Sequence, residues 1–202
     1  MDCLTRIATS EDATAISRVV IGALRETNAR DYTLAVIEQV EQSFSPQAIL
    51  CLLTQRLVYV ATIDDHVVAT ASLDQDVVRS VFVDPLHQGQ GIGKQLMAMI
   101  QSAAVSRKVK LLRVPSSITA EGFYASLGFK KVRDEFHGAE RTIIMEQWLA
   151  YELVSDNRKG NRTFKVGNLR PAEQQIPTAH RTECHPLQKQ NRAASGPVVF
   201  SN

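Results

Sequence analysis

The stretch that most constrains the fold of this chain is residues 81–94, VFVDPLHQGQGIGK. The β-branched and aromatic residues at its start predict a strand, and the glycines that follow predict a tight turn opening a helix. Glycines leave so little side-chain bulk that a ligand can approach the backbone closely. The N–H groups at a helix start lack intrahelical acceptors and lie at the positive end of the helix dipole. Since this arrangement binds phosphate, the sequence predicts a site for a phosphorylated cofactor.

Three known sequence patterns describe glycine-rich loops that bind phosphate, and residues 88–94 match only one of them in full. A Walker loop requires GxxxxGK followed by Ser or Thr, but Gly93 and Lys94 are followed by Gln95, and Gln88 occupies the place of the first glycine. A dinucleotide-binding fingerprint requires GxGxxG, and its third glycine position is occupied by Lys94. The third pattern, Q/R-x-x-G-x-G/A, is matched in full by residues 88–93.

A second motif lies about thirty residues further on, in residues 117–129, SITAEGFYASLGF. It fits the pattern NxxAxxFYxxxGF except that Ser117 stands in the place of Asn. Its apolar residues have helical spacing, and Gly128 is suited to ending that helix. With the glycine loop, this motif resembles the GNAT family of N-acetyltransferases, over roughly residues 3–149.

The resemblance implies an α/β (mixed α+β) fold, with a central mixed sheet flanked by helices in the order β-α-α-β-β-β-α-β-α-β-β. The hydrophobic periodicity predicts elements that agree with this order. A capping box at Thr9 and Asp12 precedes the first helix, residues 24–32 are expected to be a loop, and the second helix carries its apolar face as far as Phe44. The predicted strands are residues 3–8, 57–63, 66–73, 77–83, 110–114, 130–134 and 142–148.

The resemblance also implies acetyl-CoA as the co-substrate. The strand ending near Val83 would carry a bulge that splays it from the next strand, and the pantetheine arm would lie in that gap. A backbone N–H near Phe82 or Val83 would face the thioester oxygen, the glycine loop would hold the pyrophosphate, and the Ser117 hydroxyl could contact the pantetheine arm. The implied cofactor-binding residues are Phe82, Val83, Gln88, Gly89, Gln90, Gly91, Ile92, Gly93, Lys94 and Ser117.

Tyr124 stands at the family's general-acid position. A phenol of pKa about 10 suits protonation of a departing thiolate whose thiol has a pKa of about 8.5. The alternative is a packing role only. The general base cannot be assigned from the sequence, and the family's use of ordered water makes a side-chain base unnecessary. The candidates are Asp74, Asp76, Ser80, Glu135 and His137, the last two expected on a late loop.

The leading functional hypothesis is an N-acetyltransferase acting on a small-molecule or peptide amine. The loop between the first two helices is where such proteins vary their acceptor site. Its mixed charge does not indicate whether the acceptor is a small molecule or a peptide. Its polar residues are Glu26, Asn28, Arg30, Asp31 and Tyr32. Two alternatives stay open: a non-catalytic acyl-CoA-binding module, and a protein- or RNA-directed modifier guided by a basic tail.

Charge is divided unevenly along the 202 residues. Residues 1–150, the expected GNAT domain, have a net charge of −2, whereas residues 151–202 have +4 and contain four prolines. The second segment is expected to be a basic, mostly disordered tail. A near-neutral domain argues against nucleic-acid binding driven by charge.

The cysteines, the candidate metal ligands and the apolar runs of the sequence also bear on the class of protein. Three scattered cysteines, Cys3, Cys51 and Cys184, do not form a disulfide framework. No metal site is expected, because His180, Cys184 and His185 lack a second ligand pair. The absence of a long apolar run and of a signal-peptide pattern leads us to expect a cytoplasmic protein with no membrane partner. A homodimer remains possible.

Overall fold

The computed structural model describes residues 2–26, 34–137, 140–149, 153–155 and 162–164. Its helices are α1 (Ala13–Glu26), α2 (Leu34–Gln42), α3 (Pro46–Gln55), α4 (Ile92–Ser106) and α5 (Glu121–Ser126). Its strands are β1 (Leu4–Ile7), β2 (Leu57–Ile63), β3 (His66–Asp74), β4 (Val77–Val83), β5 (Leu111–Ser116), β6 (Lys130–His137), β7 (Glu140–Trp148), β8 (Leu153–Ser155) and β9 (Arg162–Phe164).

The first seven strands form one mixed sheet in the order β1-β2-β3-β4-β5-β7-β6. Every neighbouring pair is antiparallel except β4 and β5, which are parallel. A parallel pair needs a long crossover, and α4 supplies it between the two strands. These features confirm the expected mixed α/β fold. Among the described residues, the short strands β8 and β9 pair only with each other.

The sheet loses its regular pairing in the second half of β4. Opposite β3, the register passes from Ser72↔Arg79 to Thr70↔Phe82, so two residues of β4, Ser80 and Val81, face one residue of β3. This is a β-bulge, and Ser80 has a φ of +52° there. On the other side, β4 pairs with β5 only at Val77↔Arg113. The two parallel strands therefore diverge toward their C-terminal ends, as the resemblance implied.

Helices cover both faces of the sheet and create two apolar layers. On one face, α4 buries Leu96, Met97 and Ile100 against the sheet. On the other face, α1 and α3 pack over β2 and β4, and Phe44 meets the ring of Phe82 edge to face with 5.7 Å between centroids. Since the gap between β4 and β5 lies between these layers, buried apolar side chains border it on both faces.

Several elements differ from the expectations drawn from the sequence. Helix α1 continues through Glu26, and Leu24, expected in a loop, is fully buried because it extends the apolar face of the helix. Phe44 lies beyond the end of α2, although it is buried as expected. Strand β6 extends to His137, so Glu135 and His137 lie on a strand rather than a loop.

No helix among the described parts of the chain is long and apolar enough to cross a membrane.

A buried carboxylate, that of Asp12, stabilises the turn that leads into α1. It lies at the capping box predicted from the sequence. The Asp12 carboxylate accepts a 2.7 Å hydrogen bond from the Thr9 N–H, and the Arg6 guanidinium donates to both of its oxygens at 2.7 and 2.8 Å. These bonds, chiefly those from Arg6, lower the pKa of Asp12 below its ordinary value. The ionised carboxylate therefore stabilises the junction between β1 and α1.

We predict that Asp12→Ala lowers the free energy of unfolding by about 1–2 kcal/mol at neutral pH, since it removes a helix cap and leaves Arg6 without its partner. Because the folded-state pKa is lowered, this contribution is present above the unfolded pKa of about 3.9 and is lost as pH falls through the folded value. Urea titrations at neutral and at acid pH measure both effects.

The matched control is Asp134→Ala, which removes a carboxylate that is 28% exposed and paired with Lys131 and Arg141. A smaller loss is expected there because solvent screens surface pairs. Equal losses at the two positions would contradict the capping role of Asp12.

Candidate active site

The glycine loop begins directly after β4 and is anchored to it by side-chain bonds. Asp84 donates its N–H to the Val68 carbonyl at 2.8 Å, and its carboxylate accepts from the Leu86 N–H at 2.9 Å, which starts a short 3₁₀ turn. Gln88 then donates its side-chain amide to the Val83 carbonyl at 3.2 Å. The predicted cofactor residue Gln88 thus fixes the loop to the end of the strand.

Two glycines give the loop a backbone that other residues rarely adopt. Gly89 and Gly91 have φ of +74° and +81°, and a Cβ on either would meet no atom within 4 Å. The glycines are therefore required by the backbone conformation, and the space in front of them is open. Gly89, Gln90, Gly91 and Lys94 are all exposed.

The N-terminus of α4 points unpaired donors into this open space. Its first intrahelical hydrogen bond runs from the Gln95 N–H to the Gly91 carbonyl at 3.1 Å. The N–H groups of Ile92, Gly93 and Lys94 consequently have no acceptor within the helix. With the positive end of the helix dipole and the Lys94 ammonium, they form a site suited to a phosphate group.

Gly93 brings together the three elements that surround the gap. A Cβ at this position would lie 3.3 Å from the Phe123 ring of α5 and 3.7 Å from the Val83 side chain of β4. The absence of a side chain allows α4 to approach both elements. Ile92 is also buried, so its contribution toward a ligand would be its backbone N–H.

The two walls of the gap differ in the backbone groups they present. The Asp84 N–H donates to β3, so strand alternation turns the N–H of Val83 toward the gap and that of Phe82 toward β3. Of the two predicted residues, Val83 therefore has its backbone on the gap side. Opposite it, the Arg113 N–H donates to the carbonyl of Asp76, the residue before β4, so Pro115, two residues on, faces the same side. A proline is accommodated there because the strands no longer pair.

Tyr124 lies in the core beside the gap. Its side chain is fully buried, and its ring makes edge-to-face contacts with Phe123 and Phe129 at centroid distances of 5.1 and 5.6 Å. Because none of its surface is exposed, the phenol can act only on a group that enters the interior. Ser117 is also buried, and its hydroxyl accepts a hydrogen bond from the Ala120 N–H at 3.1 Å, just before α5.

The candidate general bases are spread over the sheet rather than gathered. Three are carboxylates in ion pairs: Asp74 with Arg56 and Arg79, Asp76 with Arg113, and Glu135 with Arg133. Ser80 lies at the bulge and is almost fully buried. The side chain of His137 lies outside the described residues.

Most of the residues expected at the acceptor loop, and the three considered as metal ligands, lie outside the described residues. Glu26 is exposed at the end of α1, whereas Asn28, Arg30, Asp31 and Tyr32 lie outside the described residues, as do His180, Cys184 and His185. Within the described ranges, no group of three or more His, Cys, Asp or Glu side chains is arranged to hold a metal ion.

A small pocket adjoins the bulge on the face covered by α1 and α3, a feature that the sequence reading did not identify. Its floor is formed by polar residues of β3 and β4, including Ser72 and Ser80. Apolar residues of the helices form its walls. They include Ile16, Val20, Ile49 and Leu52.

Residues 28–144 match the family model described as the acetyltransferase (GNAT) domain. This match spans more than half of the chain, and the chain belongs to that family.

Solved structures of low sequence identity share the fold. A GCN5-related N-acetyltransferase from Rhodopseudomonas palustris is 22% identical with a TM-score of 0.69, over 74% of this chain and 97% of that one. PaiA N-acetyltransferase from Thermoplasma acidophilum, solved with coenzyme A, is 19% identical with a TM-score of 0.66, over 73% and 99%. The acetyltransferase yncA from Salmonella typhimurium, solved with acetyl-CoA, is 21% identical with a TM-score of 0.53, over 77% and 98%.

Proposed function

We propose that this protein is an N-acetyltransferase that moves an acetyl group from acetyl-CoA to a primary amine by direct attack. The observation that carries the proposal is the continuity of two features: the open glycine loop at the start of α4 and the gap between β4 and β5. A phosphate site that leads into a split in a sheet suits a long, thin cofactor with a charged end. Family membership and the CoA-bound relatives support the same assignment.

The glycine loop would hold the pyrophosphate. Its exposed backbone from Gly89 to Gly91, the first N–H groups of α4 and the Lys94 side chain offer donors and positive charge. The pantetheine arm would lie between the diverging strands and take the place of the missing ladder on β4. Ser117 would line the far side of this arm, near the start of α5.

Acetyl-CoA supplies an activated carbonyl group. The acceptor nitrogen forms a bond to that carbon, the carbon–sulfur bond breaks, and the electron pair leaves with the sulfur. Val83, whose backbone N–H is turned toward the gap, would stabilise the negative charge that develops on the carbonyl oxygen. Tyr124 would protonate the departing thiolate, and the proton lost by the amine would pass to water.

The full burial of Tyr124 is the observation that favours the second candidate, a non-catalytic acyl-CoA-binding module in which this ring only packs. The two candidates differ in one measurable respect. Both bind acetyl-CoA, but only the enzyme releases thiol from it in the presence of an amine. We assign the activity to residues 1–150, since the family match ends at residue 144.

Acetyl-CoA is expected to stabilise the fold by about 2.7 kcal/mol at one hundred times its dissociation constant. Gly91→Val is expected to abolish this shift because a β-branched side chain disfavours positive φ and would fill the open space before the helix. Thermal unfolding with and without acetyl-CoA measures both effects.

Gly22→Val in α1 is the matched control, because a Cβ there also meets no atom within 4 Å outside its own helix. This variant should retain the full shift. Wild-type protein that shows no shift while folded, or a Gly91→Val variant that binds as tightly as wild type, would refute the assignment of the loop.

Tyr124→Phe is expected to lower kcat by roughly 10²–10⁴-fold, less where water replaces the phenol, with little change in the affinity for CoA. The hydroxyl is needed only as the thiolate leaves, so its loss should not alter ground-state binding. Steady-state thiol release on an amine found by screening gives kcat, and calorimetry gives the affinity for CoA.

Tyr59→Phe removes the hydroxyl of another buried tyrosine from the same apolar layer and should leave kcat unchanged. If Tyr124→Phe also left kcat unchanged, Tyr124 would have a packing role only. A loss of CoA affinity with kcat intact would make it a binding residue.

A further inference from the structure

Two arginines share one carboxylate where α3 meets the β3–β4 hairpin. The Asp74 carboxylate lies 3.8 Å from Nε of Arg56, which follows the last residue of α3, and 3.3 Å from Nε of Arg79 on β4. Two positive charges against one negative leave a surplus positive charge. The two arginine side chains are only 20% and 26% exposed, so solvent screens this charge incompletely.

One buried hydrogen-bond donor of the cluster has no acceptor among the described residues. Nε of Arg79 is buried and has no hydrogen-bond partner there, because its contact with Asp74 lacks hydrogen-bond geometry. Burial and the neighbouring Arg79 both lower the pKa of Arg56, while Asp74 opposes them. A second anion would offset this repulsion and accept from the unused donors.

The bulge places this cluster next to the gap. Val78 and Val81 face the layer under α4, whereas Ser80 lines the pocket under α1 and α3. Arg79 pairs with Ser72 of β3, which lines the same pocket, so it lies on the same face as Ser80. Consecutive strand residues normally alternate, and here the bulge sets two neighbours on one face. Arg79 therefore directly precedes the bulge residue Ser80 and lies two residues beyond the last contact of β4 with β5 at Val77.

The adjoining pocket is small and mostly apolar. The Thr70 hydroxyl donates to the Tyr59 carbonyl at 3.1 Å and the Ser72 hydroxyl to the Arg79 carbonyl at 2.9 Å, so both hydroxyl protons are committed to the sheet. Helix side chains such as Val20 and Leu52 complete the lining. The pocket's volume of about 10 Å³ has room for about one water, so it admits no side chain of an acceptor.

We infer that the acetyl acceptor is a free amino acid, whose carboxylate is held by Arg56 and Arg79 and whose amine lies at the bulge beside Ser80. The inference rests on the proposed acetyltransferase function and adds the chemical class of the acceptor to it.

The test compares free amino acids with their amides as acceptors, for example L-valine with L-valinamide, by thiol release from acetyl-CoA. The amide keeps the amine and the side chain but removes the negative charge. The wild type should use the acids with kcat/KM at least tenfold above the amides. Arg79→Gln should raise KM for the acids about tenfold or more and leave KM for the amides nearly unchanged. Arg56→Gln should act in the same direction.

Arg107→Gln is the matched control, because it removes one exposed positive charge at the end of α4 on the opposite face of the sheet. It should preserve the preference for acids. Affinity for CoA, measured on each variant, checks that the fold and the cofactor site are intact.

The outcomes separate the two levels of the proposal. Equal use of acids and amides by the wild type, equal loss of both in Arg79→Gln, or transfer to peptides alone would overturn the amino-acid site and leave an acetyltransferase. Failure to bind acetyl-CoA would overturn the proposed function and the inferred site with it.

Discussion

The bulge in β4 sets the shape of the sheet around the candidate site. One extra residue at Ser80 interrupts the pairing with β3, which resumes at Phe82 and Val83, and β4 separates from β5 after a single parallel contact at Val77. The sheet stays intact because α4 supports one face and α1 and α3 the other. A split in a seven-stranded sheet thus lies between two buried apolar layers, and a ligand could complete the missing pairing.

We propose that the glycine loop and the end of this split together form the binding site for acetyl-CoA. Positive φ at Gly89 and Gly91 turns the chain so that α4 starts beside the end of β4, and the missing side chain of Gly93 allows it to contact Phe123 and Val83. A helix start and a strand end therefore meet at one point. In the proposed complex, the loop would bind the charged pyrophosphate and the gap would pair with the pantetheine arm. The two would then form one continuous binding surface.

Local sequence predicted the β4 strand, the glycine turn and the start of α4 because these elements depend on neighbouring residues. The glycine spacing and the capping box at Thr9 and Asp12 needed no long-range contact, whereas the split in the sheet was expected only from the family resemblance. Helix α1 was predicted too short because Leu24 is held by packing against the sheet, which sequence polarity does not show. The cluster of Arg56, Asp74 and Arg79 could not be foreseen, since it joins a helix end to a hairpin across the fold. Pro115 gave an unused signal, because a proline inside a strand indicates an unpaired edge.

We propose that acetyl-CoA occupies both the glycine loop and the gap. Amide hydrogen exchange with and without acetyl-CoA tests this proposal, since it follows individual backbone donors. We expect slower exchange at Val83 and across residues 89–94 in the presence of acetyl-CoA, with the edge strand β6 unchanged. Unaltered exchange in the loop at saturating acetyl-CoA, or protection confined to another part of the chain, would contradict it.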